Sequence, residues 1–191
     1  MKHPRMNKVS AVAGALALIL ILVSGIAAKP TQAAPAVDDY LIVALGDSIT
    51  AGYEPGMTEQ SVPYGFVERL KEQGLFHART SAVNYGILGL TSEGLKNYVT
   101  AIQKGVPVAG ADIQANLPDP RIASFASGVA QAKADLQKAD LITITIGGND
   151  LLKLLPDMKN ISLDQLRAQG DEVLTHYGDN LREIVRILQE L

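Results

Sequence analysis

Three short apolar runs, each followed by a glycine, constrain the fold of this chain more than any other feature. They predict β-strands over Tyr40–Leu45, Ala82–Tyr85 and Leu141–Ile146. The longer stretches between them have helical periodicity and predict helices over Tyr64–Gln73, Ser92–Gln103 and Ile122–Lys138. Strands that alternate with helices indicate an α/β domain with a mainly parallel sheet, and these runs are apolar enough for burial on both faces.

The apolar face of the last of these helices and two further stretches complete the prediction of secondary structure. In Ile122–Lys138 the apolar face lies on one stripe, formed by Ile122, Phe125, Ala126, Val129, Ala130, Lys133 and Leu136. Lys104–Pro120 holds three prolines and no clear period, so we expect a long loop that borders the site. Ser162 and Gln165 have the spacing of a capping box, and the helix they begin keeps its apolar spacing to Leu191, with no stop signal. That unfinished pattern favours missing C-terminal strands.

Residues 1–36 have the pattern of a targeting segment followed by a linker. Three basic residues precede the uncharged stretch Val9–Ala28, and a segment rich in alanine and proline offers cleavage sites after Ala33 or Ala36. A cleaved signal peptide is expected. A retained membrane anchor stays open, because about 20 apolar residues are enough to span a bilayer. In both cases the single domain predicted over residues 37–191 is secreted or otherwise extracytoplasmic.

Composition excludes several classes of partner and chemistry. The chain has no cysteine, which rules out disulfides and a thiol nucleophile. Beyond residue 36 it carries 13 basic and 20 acidic side chains, a net charge of −7, so nucleic acid is not expected as a partner. The sequence does not predict an oligomeric state.

The first strand leads directly into Gly46-Asp47-Ser48-Ile49-Thr50. A tight turn after a strand exposes a serine hydroxyl to a base and a substrate, as a nucleophile requires. The same residues also suit an ordinary turn in which Asp47 or Ser48 caps a helix. Taken alone, the pentapeptide favours the ordinary turn.

Polar or glycine turns follow the other two strands as well. Gly89 follows the second strand and offers an unhindered backbone N–H, while Asn149 follows Gly147 and Gly148 and offers a side-chain amide. Parallel strands bring these turns and Ser48 to the same edge of the sheet, where α/β proteins bind ligands. Their ordered recurrence favours acyl-transfer chemistry with an oxyanion site.

These motifs resemble three sequence blocks of the SGNH, or GDSL-type, esterases and lipases: GDSIT, the NYGILGLTS segment around Gly89, and IGGND at residues 146–150. The resemblance implies that Ser48 is the nucleophile and that the N–H groups of Ser48 and Gly89 form the oxyanion hole with the Asn149 amide. It also implies a three-layer α/β/α sandwich of about five parallel strands, similar to flavodoxin.

The sequence departs from that family in its last block, an Asp-x-x-His that supplies the general base. No such motif occurs in the chain, whose only histidines are His3, His77 and His176. We interpret His77 and His176 as surface or helix residues. The sequence therefore predicts either a fragment that ends before its base or a complete protein without this catalysis.

No cofactor and no metal are expected. Asp47 and Asp150 lack further acidic or histidine neighbours at ligand spacing, so turn-forming and capping roles are favoured for both. The leading hypothesis is an exported esterase or lipase that acts on small-molecule or lipid esters through an acyl-Ser48 intermediate and is nearly inactive as this chain alone. The alternative is a non-catalytic, membrane-tethered binding domain with a hydrolase-like fold.

Overall fold

The computed structural model describes residues 39–54, 56–57, 61–115, 119, 121–154 and 161–191. The described residues all belong to one compact unit, Val37–Leu191. The predicted targeting segment, with its cleavage sites, lies outside the described residues. None of the helices in the described part of the chain combines the length and apolar character needed to cross a membrane.

In the described part of the chain, the sheet has three parallel strands in the order β2-β1-β3, namely β1 (Asp39–Gly46), β2 (Arg79–Gly86) and β3 (Leu141–Thr145). The predicted α/β class, the parallel sheet and all three predicted strands are confirmed. Because β1 lies in the centre, its last residue, Gly46, is in register with Gly86 on one side and Thr145 on the other. The turns that follow the three strands therefore meet at one edge.

The prediction that each strand is buried on both faces holds only for β1. Ile42 to Leu45 are at most 2% exposed, whereas every residue of β3 is half-buried. The reason is position: only the central strand has neighbours on both sides, and no described strand pairs with the outer edge of β3.

Seven helices occur in the described residues. They are α1 (Phe66–Gly74), α2 (Ser92–Lys104), α3 (Gly110–Ile113), α4 (Ile122–Ser127), α5 (Val129–Lys138), α6 (Gly148–Leu152) and α7 (Leu163–Gln189). The capping box predicted for α7 is present, because the Ser162 hydroxyl accepts from the Gln165 N–H and the Gln165 side chain accepts from the Ser162 N–H.

The helices lie on both faces of the sheet, giving three layers. Side chains alternate along a strand, and Val43 and Leu45 point into the main core beside Ile102 of α2 and Ile184 of α7. Ile42 and Ala44 are buried on the opposite face, where α1 packs against β1 and β2.

The predicted helix Ile122–Lys138 is wrong as a single element, because it breaks at Gly128 into α4 and α5. The Gly128 N–H closes the end of α4 by bonding to the Ser124 carbonyl at 2.8 Å. Ala132 is buried, whereas Ala130, which was predicted on the buried stripe, is exposed. The predicted loop Lys104–Pro120 also differs, since α3 forms within it.

Candidate active site

The turn after β1 is shaped by Asp47, which is 4% exposed. Its N–H donates to the Thr145 carbonyl at 3.0 Å, and its Oδ1 accepts from the Ile49 N–H at 3.1 Å and from Thr145 Oγ1 at 3.0 Å. Asp47 thus fastens the turn to β3, which is the turn-forming role favoured for it from the sequence.

Gly46 makes this close approach of β1 and β3 possible. Its φ of +142° is a conformation that L side chains rarely adopt, and a Cβ there would lie 2.1 Å from the Thr145 carbonyl oxygen. The Thr50 side chain fills the space above Gly46. Its Oγ1 donates to the Leu45 carbonyl at 3.1 Å and lies 2.6 Å from Thr145 Oγ1. Only glycine fits at this position of the turn.

Ser48 is half-buried at the top of that turn, directly before Ile49, which is 63% exposed. Its carbonyl accepts from the Tyr53 N–H at 2.9 Å. Within the described part of the chain, neither its hydroxyl nor its own N–H has a hydrogen-bond partner. The two groups that a nucleophilic serine uses are therefore uncommitted.

The turn after β2 carries Gly89 and is attached to the Ser48 turn. The Ile87 N–H donates to the Gly46 carbonyl at 2.8 Å, and the Leu90 N–H closes the turn onto the Ile87 carbonyl at 3.2 Å. Gly89 has a φ of +73°, the left-handed conformation that favours glycine. Its N–H, like that of Ser48, donates to no other described residue.

Asn149 lies in the first turn of α6, after the left-handed Gly147. Its Nδ2 donates to the Leu90 carbonyl at 2.8 Å, which joins the turn after β3 to the turn that holds Gly89. An amide nitrogen carries two hydrogens, and no other described residue accepts the second one, so it can bind an oxyanion. The structure thus brings the Gly89 and Asn149 turns into direct contact, and the Ser48 turn into contact with the first of them.

Asp150 anchors the turn after β3 to α2. Its buried carboxylate accepts from the Ser92 hydroxyl at 2.7 Å and from the Ser92 N–H at 2.9 Å. The Ser92 oxygen in turn accepts from Asn180 of α7 at 3.0 Å. This is the capping role favoured for Asp150, and it fixes the residue next to Asn149.

A cavity of about 770 Å³ opens beside Gly89 and Asn149, between the start of α2, α3 and α6. Its walls mix apolar side chains such as Ile113 with polar ones such as Gln114 and Lys153. Ser48 does not line it. The cavity therefore lies next to two of the predicted oxyanion donors, Gly89 and Asn149, and not next to Ser48.

The loop after α3 contributes two residues that the sequence did not single out. Gln114 Nε2 donates to the Leu88 carbonyl, and Asp119 Oδ2 accepts from the Leu88 N–H at 3.1 Å. Burial opposes ionisation of Asp119, but its hydrogen bonds with Arg121 and Leu88 outweigh burial and hold its pKa below the ordinary value. The only sequence signal for Gln114 and Asp119 is the prediction that this loop borders the site.

The described histidines are exposed, as interpreted from the sequence. His77 follows α1, and His176 lies on α7 with its Nε2 3.8 Å from Glu172. Neither makes a hydrogen bond to Ser48. Among the described residues, no group of three or more histidine, aspartate or glutamate side chains is arranged to hold a metal ion.

The family model described as GDSL-like Lipase/Acylhydrolase matches residues 42–190. The chain belongs to this family. The resemblance carried by the three motifs is thereby confirmed, and the family is one of serine ester hydrolases. No curated protein matches the chain.

Two solved esterases are similar in structure. One is AlinE4, an SGNH-hydrolase family esterase, with 21% identity, a TM-score of 0.39, and coverage of 80% of this chain and 55% of AlinE4. The other is a catalytic mutant of Axe2, an acetylxylan esterase from Geobacillus stearothermophilus, with 19% identity, a TM-score of 0.34, and coverage of 79% of this chain and 72% of Axe2. The chain thus spans about half the length of AlinE4.

Proposed function

We propose that the protein hydrolyses carboxylic esters through an acyl-Ser48 intermediate. One observation carries the proposal: three uncommitted donors, the N–H groups of Ser48 and Gly89 and the second amide hydrogen of Asn149, belong to adjoining turns at one edge of the sheet. Free donors that are held in place before the reaction stabilise the charge that develops on the substrate oxygen.

In the proposed reaction, Ser48 Oγ attacks the carbonyl carbon of the ester and gives up its proton to a base. The oxyanion of the tetrahedral intermediate accepts hydrogen bonds from Ser48, Gly89 and Asn149. The C–O bond to the alcohol then breaks, and the leaving alkoxide takes the proton from the base. Water then attacks the acyl carbon and gives a proton to the base, the bond from that carbon to Ser48 Oγ breaks, and Oγ takes the proton from the base as the acid is released. Gly46 and Asp47 keep the nucleophile above the strand end throughout.

The base is the part of this reaction that no described histidine supplies. Loss of one member of a catalytic triad leaves about 10³- to 10⁴-fold acceleration over water, which comes from the oxyanion hole and binding. We therefore expect slow turnover from the 191-residue chain alone, and faster turnover when free imidazole in the buffer accepts the Ser48 proton.

The test is acetylation of the full chain by p-nitrophenyl acetate, followed by intact mass and peptide mapping with and without imidazole. Acetyl transfer should map to Ser48, rise with imidazole, and disappear in Ser48→Ala. Asn149→Ala should slow it about 10²- to 10³-fold. Ser127→Ala, which changes an exposed serine on α4, is the matched control and should react as the wild type does. Equal acetylation of Ser48→Ala and the wild type would refute the proposal.

The second candidate is the non-catalytic, membrane-tethered binding domain with a hydrolase-like fold. It predicts that imidazole leaves the acetylation of Ser48 unchanged. The same experiment therefore separates the two candidates.

We further propose that the protein acts outside the cytoplasm, because basic residues followed by the uncharged stretch Val9–Ala28 are typical of export. Fractionation of expressing cells, with the N-terminus of the product sequenced, tests this. A mature N-terminus after Ala33 or Ala36 would indicate a cleaved signal peptide, and an intact N-terminus in the membrane fraction would indicate an anchor. An intact chain in the cytoplasm would contradict the proposal.

A further inference from the structure

We propose that Gln114 is a positioning residue that aims the N–H of Gly89 at the substrate oxyanion. This inference rests on the proposed function, because it concerns the orientation of one of the three donors. It assigns a role to a residue of the loop after α3.

The argument begins with the peptide bond between Leu88 and Gly89. A peptide unit is planar and trans, so its C=O and its N–H point in opposite directions. The Leu88 carbonyl belongs to the same unit as the Gly89 N–H. Whatever holds the Leu88 carbonyl therefore sets the direction of the Gly89 N–H.

Gln114 holds that carbonyl, because its Nε2 donates to the Leu88 oxygen. The Gly89 N–H faces away from this bond and is free of any described partner. At a φ of +73° a glycine has little steric reason to keep one orientation of the unit that precedes it. We infer that without Gln114 the Leu88–Gly89 peptide unit rotates, and the Gly89 N–H no longer points at the substrate oxyanion.

Gln114 is itself fixed by Asp119. The Asp119 N–H donates to Gln114 Oε1 at 3.3 Å, so both ends of the Gln114 amide are engaged. The Asp119 carboxylate also accepts from the Leu88 N–H at 3.1 Å. The peptide units on both sides of Leu88 are thus bound by residues of one loop.

A charged carboxylate that is fully buried, as that of Asp119 is, needs a partner of opposite charge. Arg121 provides one. The Arg121 Nη2 and Nε donate to the two carboxylate oxygens at 2.7 and 3.0 Å, and the Arg121 N–H donates to Oδ1 at 2.9 Å. The guanidinium also lies over the Phe125 ring, 5.5 Å from its centroid. Gln114, Asp119 and Arg121 together form what we call the Leu88 clamp.

Gln114→Glu tests the role of the carbonyl bond, since it keeps the size of the side chain but replaces the donating amide with an acceptor. Misdirecting one donor should slow acetylation of Ser48 about 10- to 100-fold, with little change in KM. Gln137→Glu is the matched control, because Gln137 also donates to a backbone carbonyl, that of Leu191, at 3.1 Å and away from the site. Its acetylation rate should equal that of the wild type.

A second readout is independent of catalysis. In ¹⁵N NMR spectra of the full chain, Gln114→Glu should shift the Gly89 amide signal and lower its order parameter, while the amides of Val43 and Leu45 in β1 keep theirs. If Gln114→Glu does not fold, Gln114→Ala removes the same bond without adding a charge. Either an unchanged Gly89 signal or an unchanged acetylation rate would overturn the inference.

The two proposals fail in different ways. If the wild type shows no acetylation that depends on Ser48, the proposed function fails, and the Gly89 signal alone decides whether Gln114 sets the orientation of this amide. If acetylation depends on Ser48 but is equally fast in Gln114→Glu, only the inference about Gln114 fails.

Discussion

Substitution of Gly147 by alanine should destabilise the protein strongly, whereas the same change at Gly148 should not. Gly147 has a φ of +114°, and a Cβ built on it would lie 2.7 Å from Cε2 of the Tyr177 ring in α7. A Cβ on Gly148 would meet nothing within 4 Å, and Gly148 is the first residue of α6. The two neighbouring glycines of the same motif therefore have opposite tolerance for a methyl group.

The magnitude follows from two separate costs at Gly147. A side chain held at a positive φ costs about 1–3 kcal/mol, and overpacking against the Tyr177 ring costs about 1–3 kcal/mol more. Gly147→Ala should therefore lower the free energy of unfolding by about 2–6 kcal/mol, which is a fall in Tm of about 5–20 °C in a domain of this size. Gly148→Ala should raise stability by up to about 1 kcal/mol, since alanine is the better helix former.

Urea denaturation followed by circular dichroism measures both values. The double variant Gly147→Ala with Tyr177→Ala separates the two costs, because it removes the ring contact but leaves the backbone strain. The penalty of Gly147→Ala should fall by about 1–3 kcal/mol in the Tyr177→Ala background. The reasoning would be refuted if Gly147→Ala and Gly148→Ala had equal stability, or if the two substitutions in the double variant were simply additive.

Two other predictions concern hydrogen bonds to buried carboxylates. Ser92→Ala removes the hydroxyl that donates to Asp150 and should lower the free energy of unfolding, measured by urea denaturation, by about 1–3 kcal/mol. The control Ser127→Ala should stay within about 0.5 kcal/mol of the wild type. An equal effect of the two substitutions would contradict the anchoring role of Asp150. Because the folded protein lowers the pKa of Asp119, its contribution to stability is complete above the ordinary value of 3.8 and is lost as the pH falls through the lowered value. As the pH falls below 3.8, the urea midpoint of Asp119→Asn should therefore fall less than that of the wild type. Parallel curves of urea midpoint against pH for the two proteins would refute this.

The strands and the three candidate residues were predictable because their signals are local. An apolar run followed at once by a glycine identifies each strand and the turn after it, and parallel pairing then places Ser48, Gly89 and Asn149 at one edge. The catalytic roles of these three residues stay predictions, and the acetylation experiment decides them.

The features that the sequence did not reveal depend on contacts between distant segments. Gln114 and Asp119 bind Leu88 across 26 and 31 residues of chain, and no periodicity or spacing marks a contact of that kind. The break at Gly128 was missed for another reason: a single glycine in a periodic stretch lowers helix propensity by only about 1 kcal/mol, too little to predict an interruption. The sequence predicts burial of both faces of β3 because its apolar composition does not reveal which strand is central.

The central position of β1 also bears on the order in which the site assembles during folding. β1 pairs with β2 after about 40 residues but with β3 only after about 100, and closing the longer loop costs more entropy. Asn149, which binds the Leu90 carbonyl, arrives with β3. During synthesis from the N-terminus, we expect the Ser48 and Gly89 turns to form first, so that the donor set becomes complete only when β3 docks.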